Sequence, residues 1–161
     1  MSTREEVFNE SLEYFNGDSL AADVFLKYAL RDGEDFLETN PDQMHHRLAS
    51  EFVRIENKYP NPMTEDEIYD LFADFKYVVP QGSPLSGIGN PYQIQSLSNC
   101  FVIDSAQDSY AGILHADQEQ VQIMKRRGGV GHDVSNIRPK GMPTKNAART
   151  TDGIAVFMDR F

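Results

Sequence analysis

The 161-residue chain contains a single cysteine, Cys100, which excludes an internal disulfide and favours a reducing compartment, most simply the cytoplasm. No apolar run approaches the roughly 18 residues that a membrane-spanning helix requires, so no transmembrane segment is predicted. The N-terminal stretch is acidic and lacks the basic-then-apolar pattern of a signal peptide. Because 40% of the residues are hydrophobic, the chain can still bury a core, as one domain or as a small domain with a piece of another.

Basic residues are scarce in the first half of the chain. Residues 1–75 hold 6 Lys or Arg against 18 Asp or Glu, a net charge of −12, whereas residues 76–161 hold 9 against 7, a net charge of +2. An acidic front argues against an extended nucleic-acid footprint. Residues 125–149 contain seven basic side chains and one acid, Asp133. We expect a compact cationic patch here, of a size that suits one small phosphorylated ligand.

Four helix starts are predicted in residues 1–75, each from a side chain that can cap the first backbone N–H groups. Two have capping-box spacing, in which a glutamate three residues after a threonine returns a bond to the backbone. A third combines an asparagine cap with proline at the first helical position. The second helix is expected to run over residues 20–30. The predicted caps are Thr3, Ser19, Asn40 and Thr64.

The acids and histidines of this half are interpreted as helix-surface and packing residues. Most of the acids fall between apolar positions, as on a solvated helix face. His45 and His46 are neighbours on a predicted helix and therefore point about 100° apart, so they cannot ligate one metal as an i, i+4 pair could. No metal ligand is predicted.

After residue 75 the pattern changes from helices to a mixture of strands and helices. Short β-prone runs alternate with segments rich in glycine, proline and serine. Two strands with one long helix make a fragment of a layered α/β structure. The predicted elements are strands at 77–79 and 95–103, a helix at 109–127 capped by Asp108 or Ser109, and a helix from Thr151, with irregular segments at 80–91 and 132–149.

The final helix carries apolar side chains that need a surface to pack against. One strand–helix unit cannot close a sheet, so we expect the chain to be part of a larger assembly. The long helix is expected to bury one apolar stripe. The stripe consists of Tyr110, Ile113, Leu114, Val121 and Met124, and the final helix carries Ile154, Val156, Phe157 and Phe161.

Few residues point to chemistry by themselves. Gly128–Gly131 fits either a helix stop with a tight turn or a backbone cradle for an anion, and it matches neither the P-loop nor the dinucleotide pattern. Cys100 lies in a predicted strand, where an inert packing role and a reactive thiol both remain open. His115 and His132 are isolated and are interpreted as structural residues.

Six motifs occur in order along the chain: LAADVFLKYALRD, FKYVVPQGSP, SLSNCFVI, DSY, MKRRGGVGHDVSNIRPKG and DGIAVFMDRF. In this order and spacing they resemble the large catalytic subunit of ribonucleotide reductase, most closely its adenosylcobalamin-dependent branch and the close class I relatives of that branch. The likeness is strongest over residues 80–161. It covers only the first part of a much longer family protein.

This resemblance implies an α/β fold. Residues 1–75 would form an N-terminal helical region. Residues 76–161 would supply the first strands and helices of a ten-stranded α/β barrel, together with the helix and loop that bind the specificity effector. The barrel would be incomplete in this chain.

The resemblance also implies roles for residues at the active site of the family. Cys100 matches the first of two redox cysteines, which reduce the substrate radical and end as a disulfide. Ser83 and Asn99 match substrate contacts, and Gly129 lies where the backbone of the family touches the substrate.

A second group of residues matches the effector site of the family, which binds a deoxynucleoside triphosphate. Asp108 and Ser109 match the start of the effector helix. Arg138 matches a phosphate ligand, and the loop that ends at Lys145 matches the first specificity loop. The helix over 109–127 would also help to build a homodimer interface.

Several catalytic parts of the family have no counterpart here, namely the thiyl-radical cysteine, the second redox cysteine, the catalytic Asn and Glu, and the regulatory ATP cone. We therefore expect an N-terminal piece of a split or truncated ribonucleoside-diphosphate reductase, inactive without its C-terminal remainder. The radical would come from adenosylcobalamin bound elsewhere or from a separate small subunit, and a thioredoxin-type reductant would serve the full enzyme. The alternatives are a non-catalytic deoxynucleotide-binding regulatory module and a helical adaptor without a ligand.

Overall fold

The structure is a computed structural model that describes residues 2–159, and the chain divides after Leu97 into two compact units. We call residues 2–97 the N-unit and residues 98–159 the C-unit. The sequence boundary after residue 75 marks the change of pattern, whereas the compact N-unit continues to Leu97. No helix formed by the described residues is long and apolar enough to cross a membrane.

The N-unit is mainly helical, with one small antiparallel hairpin, and the C-unit combines helices with a parallel strand pair. The N-unit elements are α1 (Arg4–Tyr14), α2 (Ser19–Phe25), β1 (Arg31–Asp32), β2 (Asp35–Phe36), α3 (Pro41–Glu56), α4 (Glu65–Phe72), a 3-10 turn (Ala73–Phe75) and α5 (Gly82–Gly87). The C-unit elements are β3 (Cys100–Val102), α6 (Tyr110–Met124), β4 (Gly129–Gly131) and α7 (Ile154–Met158).

Side-chain caps fix three helix starts where the sequence predicts them. The Thr3 hydroxyl accepts the backbone N–H of Glu6 at 3.3 Å, and the Glu6 carboxylate accepts the backbone N–H of Thr3 at 2.7 Å. Thr64 forms the same reciprocal box at the start of α4. Asn40 caps α3, with proline at its first position. These three predictions are confirmed, because a cap depends on contacts within one helical turn.

The second helix differs from its prediction at both ends. Asp18, rather than Ser19, is the cap, and its carboxylate accepts a backbone N–H three residues later at 3.0 Å. The helix ends at Phe25 instead of continuing to Leu30. The chain then enters the β1–β2 hairpin, which turns through Gly33 at a φ of +59°, a conformation that glycine adopts without steric cost.

Apolar residues from every helix of the N-unit form one core. Met44 and Leu48 of α3 are fully buried, and α3 packs chiefly on α4. Burial of this kind is the main stabilising contribution in a small helical unit. The largest buried members of the core are Val7, Phe25, Leu26, Phe36, Met44, Leu48, Ile68, Phe72 and Leu85.

A buried ion pair joins the hairpin region to α3 and α5. Arg47 Nε lies 2.6 Å from Glu38 Oε1, and the two side chains are only 9% and 5% exposed. Glu38 also accepts the backbone N–H of Leu30 at 2.8 Å. The Arg47 guanidinium donates to the carbonyl of Leu85 at 2.8 Å and to that of Ile88. One guanidinium therefore satisfies the carboxylate and the end of a six-residue helix together.

His45 is buried beside this core, with 1% of its surface exposed. Neither ring nitrogen has a hydrogen-bond partner among residues 2–159, and the ring packs edge-on against Phe75 at 4.6 Å. Burial lowers the pKa of His45 below its usual value, and this outweighs the opposite influence of Asp42 and Asp74; His46 also lowers it. His45 is therefore neutral in the folded protein near neutral pH.

The segment between the two halves also departs from prediction. Tyr77–Val79 forms no strand and its side chains are exposed, so the predicted strand is wrong. The predicted loop over 80–91 contains α5. The start of α5 packs under a tyrosine ring, because a Cβ on Gly82 would lie 2.7 Å from the ring of Tyr28. Contacts distant in sequence thus decide the structure of this segment.

The C-unit contains a parallel β–α–β unit. In the register of β3 and β4, Cys100 lies opposite Gly129 and Val102 opposite Gly131. The predicted strand over 95–103 is shorter than expected, and the glycine segment, for which the sequence indicated a helix stop or an anion cradle but no strand, supplies the second strand. Two strands do not close a barrel, so the described residues contain α/β structure without ten-stranded closure.

The buried face of α6 differs from the predicted stripe. Ile113, Ala116 and Gln120 are buried, and Ile113 and Ala116 join Ala106 and Ile137 in the small core of the C-unit. The other predicted stripe residues are 47–65% exposed. The small core of the C-unit packs on one face of α6, and these side chains lie outside that face. These exposed residues are Tyr110, Leu114, Val121 and Met124.

The final helix, α7, begins at Ile154, three residues after the predicted start. Ile154 and Phe157 pack against the core of the C-unit, while Val156 is exposed. Phe161, which the sequence also assigns to this helix, lies outside the described residues.

The buried ion pair generates a stability prediction. We expect Arg47→Met to lower the free energy of unfolding by about 3–5 kcal/mol, because it leaves the Glu38 carboxylate buried without its partner. Arg54→Met is the matched control, since Arg54 lies on the same helix and its pair with Glu51 is largely exposed. Urea unfolding measures both variants, and equal, small effects would contradict a stabilising role for the pair.

Buried His45 generates a pH prediction. Its pKa is lowered in the folded state, so the unfolded chain takes up more protons and the free energy of unfolding falls as pH drops below about 6.5. His45→Leu should remove up to about 1.4 kcal/mol per pH unit of this dependence. Urea unfolding between about pH 7 and pH 5 tests it, with exposed His115→Gln as the control. Identical pH profiles for wild type and His45→Leu would refute it.

Candidate functional site

A cavity of about 390 Å³ opens at the start of α6 in the C-unit. All four residues predicted to bind the effector line it, two from the α6 start and two from the segment after β4. Tyr110 and Asp152 line it as well. The effector residues are Asp108, Ser109, Arg138 and Lys145.

The start of α6 supplies the first side of this cavity. Of the two cap candidates, Ser109 is the one that caps, since its hydroxyl accepts the backbone N–H of Gly112 at 3.0 Å. Asp108 immediately precedes it. The positive end of the helix dipole therefore lies at the cavity, where it favours a negatively charged ligand.

The segment after β4 supplies the second side. Arg138 Nε forms an ion pair with Asp108, and Arg138 Nη1 donates to the carbonyl of Pro143 at 3.0 Å. Residues 141–151 fold back on themselves, with the backbone N–H of Thr151 donating to the carbonyl of Met142 at 3.0 Å. Lys145 lies near the tip of this turn. Two cations thus line the cavity at the α6 start, and Arg138 is fixed there by its bonds.

The cationic segment is more dispersed than the sequence suggests. Lys125–Arg127 follow the C-terminal end of α6, whereas Arg138 and Lys145 line the cavity at its other end. A helix of 15 residues is about 22 Å long, so these groups cannot contact one small ligand together. The prediction of a single compact patch is wrong.

Hydrogen bonds keep the acid of this segment charged. The backbone N–H and hydroxyl of Ser135 donate to Asp133 at 2.9 and 2.6 Å. The hydroxyl bond is the main reason that the pKa of Asp133 lies below its usual value, with the backbone bond second. This turn follows directly after β4.

Cys100 begins β3 and is a free, exposed thiol. It lies opposite Gly129 in the strand register, and the backbone N–H of Gly129 donates to the carbonyl of Asn99 at 2.6 Å. The structure therefore brings together the candidate redox residue and two of the three candidate substrate residues. An exposed thiol is accessible to a nucleotide or to another thiol.

The third substrate candidate lies in the other unit. Ser83 is on α5 and is 4% exposed, and its carbonyl accepts a bond from the hydroxyl of Ser86 at 3.4 Å. Ser83 therefore belongs to the N-unit, whereas Asn99, Cys100 and Gly129 belong to the C-unit.

Sequence reasoning missed several cavity residues. Tyr110 was assigned to a buried stripe, yet it lines the cavity and packs edge-on against Phe157 with ring centres 6.0 Å apart. Thr144 donates to the side chain of Asn146 at 2.8 Å and forms part of the turn that carries Lys145. A hydroxyl and an amide two residues apart are a turn signal that the sequence displays.

Metal binding finds no support in the geometry. Among residues 2–159, no group of three or more His, Cys, Asp and Glu side chains is arranged to hold a metal ion. His115 is exposed and lies 3.5 Å from Glu119 of the same helix.

Comparisons with known proteins agree with the resemblance at the family level. Residues 98–161 match the family described as ribonucleotide reductase, barrel domain. The ribonucleoside-diphosphate reductase large chain of Encephalitozoon cuniculi is 27% identical over 130 residues, 79% of this chain and 15% of that protein. Large chain 2 of the Saccharomyces cerevisiae enzyme is 31% identical over 86 residues, 53% of this chain and 10% of that protein. The chain thus spans only a small part of the length of these relatives.

The junction between α6 and β4 generates a prediction. A Cβ on buried Gly128 would lie 2.5 Å from Ile123 Cγ2 and 2.8 Å from the ring of Phe101, whereas a Cβ on Gly131 would meet nothing within 4 Å. Gly128→Ala should therefore destabilise the C-unit by about 1–3 kcal/mol. Thermal unfolding checks this, with Gly131→Ala as the control, and equal shifts in Tm would contradict the packing assigned to Gly128.

Proposed function

We propose that this chain is the N-terminal part of a ribonucleotide reductase large subunit, which reduces ribonucleoside diphosphates to deoxyribonucleotides when completed by the rest of the barrel. The observation that carries the proposal is the family match over residues 98–161. In the C-unit formed by this segment, an exposed thiol begins β3 and a cation-lined cavity lies at the start of α6.

The redox chemistry explains why one thiol requires a second. Replacing the 2′-hydroxyl of a ribonucleotide by hydrogen consumes two electrons. Two thiols supply them, lose two protons and form one disulfide, while the hydroxyl leaves as water. Cys100 contributes one sulfur, so the second comes from the C-terminal remainder, and a thioredoxin-type reductant then restores the thiols.

The radical that starts the reaction comes from outside this chain. Adenosylcobalamin bound elsewhere in the full enzyme, or a separate small subunit, supplies the unpaired electron. The residues of this chain hold the substrate instead: the strand start at Asn99, Cys100 and Gly129 presents the thiol beside backbone groups that contact the nucleotide. For Ser83, in the N-unit, the proposed substrate contact rests on the family resemblance alone. A cytoplasmic location fits a thiol that must remain reduced.

The cavity at the α6 start binds a deoxynucleoside triphosphate that regulates the enzyme. Arg138 and Lys145 neutralise phosphate charge, and the N-terminus of α6 adds its dipole. Ser109 fixes the start of the helix. Tyr110 offers an aromatic face to a base or sugar at the rim.

The exposed stripe of α6 forms a homodimer interface. Its apolar members Tyr110, Leu114, Val121 and Met124 are spaced at 4, 7 and 3 residues and lie within one narrow arc of the helix. Asp117 falls in the same arc. Paired helices commonly bury stripes with this spacing.

Exposed apolar side chains support assembly with the remainder of the barrel. Val102 on β3 is 92% exposed, and Val156 and Met158 on α7 are more than half exposed. Parallel strands are normally covered on both faces. We therefore propose that the C-terminal remainder covers these residues.

A non-catalytic regulatory module that binds deoxynucleotides is the second candidate. One observation favours it: the cavity is lined entirely by residues 108–152, while Cys100 has no second cysteine in the chain. Such a module would bind nucleotide alone and would need no complement.

Turnover separates the two candidates. The chain is co-expressed with its C-terminal remainder, and deoxynucleotide formation is assayed with a dithiol reductant. We expect turnover that Cys100→Ser abolishes, because the variant cannot form the disulfide, while triphosphate binding is unchanged. Normal turnover by Cys100→Ser would overturn the redox role. Binding without turnover in the wild type would favour the regulatory module.

The dimer proposal has its own test. Val121→Asp places a charge on the exposed stripe and should shift the chain toward monomer in sedimentation equilibrium, because a buried unpaired charge opposes association. Gln122→Asp adds the same charge to α6 outside the stripe and should leave association unchanged. A monomeric wild type, or equal effects of the two variants, would contradict the interface.

A further inference from the structure

Asn16 is followed by glycine just beyond the end of α1. Of the nine asparagines in the chain it alone has this neighbour, whereas Asn40, Asn61 and Asn90 are each followed by proline. The side-chain amide of asparagine is lost most readily before glycine, because a residue without a Cβ leaves its backbone nitrogen unobstructed. Asn16 and Gly17 are both exposed, and a Cβ on Gly17 would meet nothing within 4 Å. Water therefore reaches the groups that would react.

The reaction that this pair of residues supports is deamidation, which needs only water. The Gly17 nitrogen loses its proton and attacks the side-chain carbonyl carbon of Asn16, so that a new N–C bond forms. The bond from that carbon to the amide nitrogen breaks, and the amide nitrogen takes up a proton and leaves as ammonia. Water then opens the five-membered imide at either carbonyl. The product is aspartate or isoaspartate, and nothing is oxidised or reduced.

The end of α1 holds the attacking nitrogen in a hydrogen bond. The backbone N–H of Gly17 donates to the carbonyl of Leu12 at 2.8 Å, and that of Asn16 donates to the carbonyl of Glu13 at 3.1 Å. Asn16 has a φ of +52°, the left-handed conformation in which helices commonly end with this pair of bonds. We call these two bonds the α1 cap. The Gly17 proton is bound in the cap, so the attack requires the cap to open.

Isoaspartate at position 16 does not fit the α1 cap. It adds one methylene to the main chain before Gly17, so the N–H of Gly17 no longer meets the carbonyl of Leu12. The new carboxylate also lies at the negative end of the helix dipole, beside a last turn that has no basic residue. Asp18, which caps α2, follows directly after Gly17. The connection between α1 and α2 is therefore the part of the N-unit that the reaction alters.

We propose that Asn16 is a deamidation site whose reaction is controlled by opening of the α1 cap, and whose isoaspartate product disrupts the connection between α1 and α2. The chain contains a matched control in Asn61. It is exposed and has a φ of +56°, as Asn16 does, but the following Pro62 has no backbone N–H to lose. Neither nucleotide nor thiol takes part, so the inference is independent of the proposed reductase function.

Mass spectrometry of proteolytic peptides measures the reaction in the full chain, incubated in mildly alkaline buffer with and without urea. We expect Asn16 to convert under both conditions and about tenfold faster in urea, because the unfolded chain has no cap to open. Asn61 should keep its amide throughout. If Asn16 stays intact in the folded chain while the unfolded chain reacts, the site is overturned. Equal rates with and without urea would overturn control by the cap.

Two variants show whether the controlling step is local opening of α1 or unfolding of the whole N-unit. Phe15 stacks on Phe75 with ring centres 6.0 Å apart, so Phe15→Ala removes a contact that holds the end of α1. Phe52→Ala removes a ring of the same size from α3, where it packs on Phe72 at 5.6 Å. Phe15→Ala should accelerate conversion of Asn16 in the folded chain severalfold, and Phe52→Ala should not. Equal acceleration would overturn local control. If Phe15→Ala does not fold, Phe15→Leu replaces it.

Thermal unfolding tests the effect of the product. Folded chain that has been deamidated, with its isoaspartate measured by an isoaspartate-specific methyltransferase, is compared with the Asn16→Asp variant. The two carry the same charge, but only isoaspartate lengthens the main chain. The isoaspartate form should therefore have the lower Tm, because it loses the α1 cap. Equal Tm values would show that charge alone accounts for the change, and would overturn the disruption of the connection between α1 and α2.

Discussion

Parallel pairing of β3 with β4 is the constraint on which both candidate sites of the C-unit depend. Parallel neighbours require a crossover, and α6 supplies it. The chain therefore returns to the sheet with Cys100 and Gly129 side by side at the strand starts. The connection from β3 into α6 places Asp108 and the helix dipole where the segment after β4 can bring Arg138 back to them.

The N-unit depends on a different interaction, the buried pair of Arg47 and Glu38. Helix α5 has six residues and no side-chain cap at its start, so it is too short to form without tertiary contacts. Arg47 supplies such a contact by binding the carbonyls of Leu85 and Ile88. Because Glu38 compensates the charge of Arg47, the cation can remain buried at the end of the helix that carries Ser83.

The sequence predicts most helix starts correctly, because a helix start depends on local contacts, although the cap of α2 is Asp18 instead of the predicted Ser19. The capping boxes, the proline-started helix and a cap at residue 108 or 109 are confirmed, because each depends on one helical turn. The buried face of α6 was predicted incorrectly, since the spacing of apolar residues cannot show which side of a helix packs against a neighbouring element. The strand predicted at 77–79 is wrong for the same reason, since these β-prone residues pair with no other strand among residues 2–159. The cavity residue Tyr110 was missed because its apolar ring placed it in the stripe.

The two candidate functions of the C-unit differ in how much of the chain they require. The proposed anion site uses Asp108, Arg138 and Lys145, which lie within 38 residues, and hydrogen bonds inside that segment join Arg138 to Asp108 and to the carbonyl of Pro143. Loops of this length close at modest entropic cost, so the cavity can form within the C-unit. Disulfide chemistry needs two sulfur atoms about 2.05 Å apart, and this chain has one. The proposed nucleotide site therefore lies within this chain, while the proposed reduction also requires a second thiol, so binding is the property that reports on the C-unit itself.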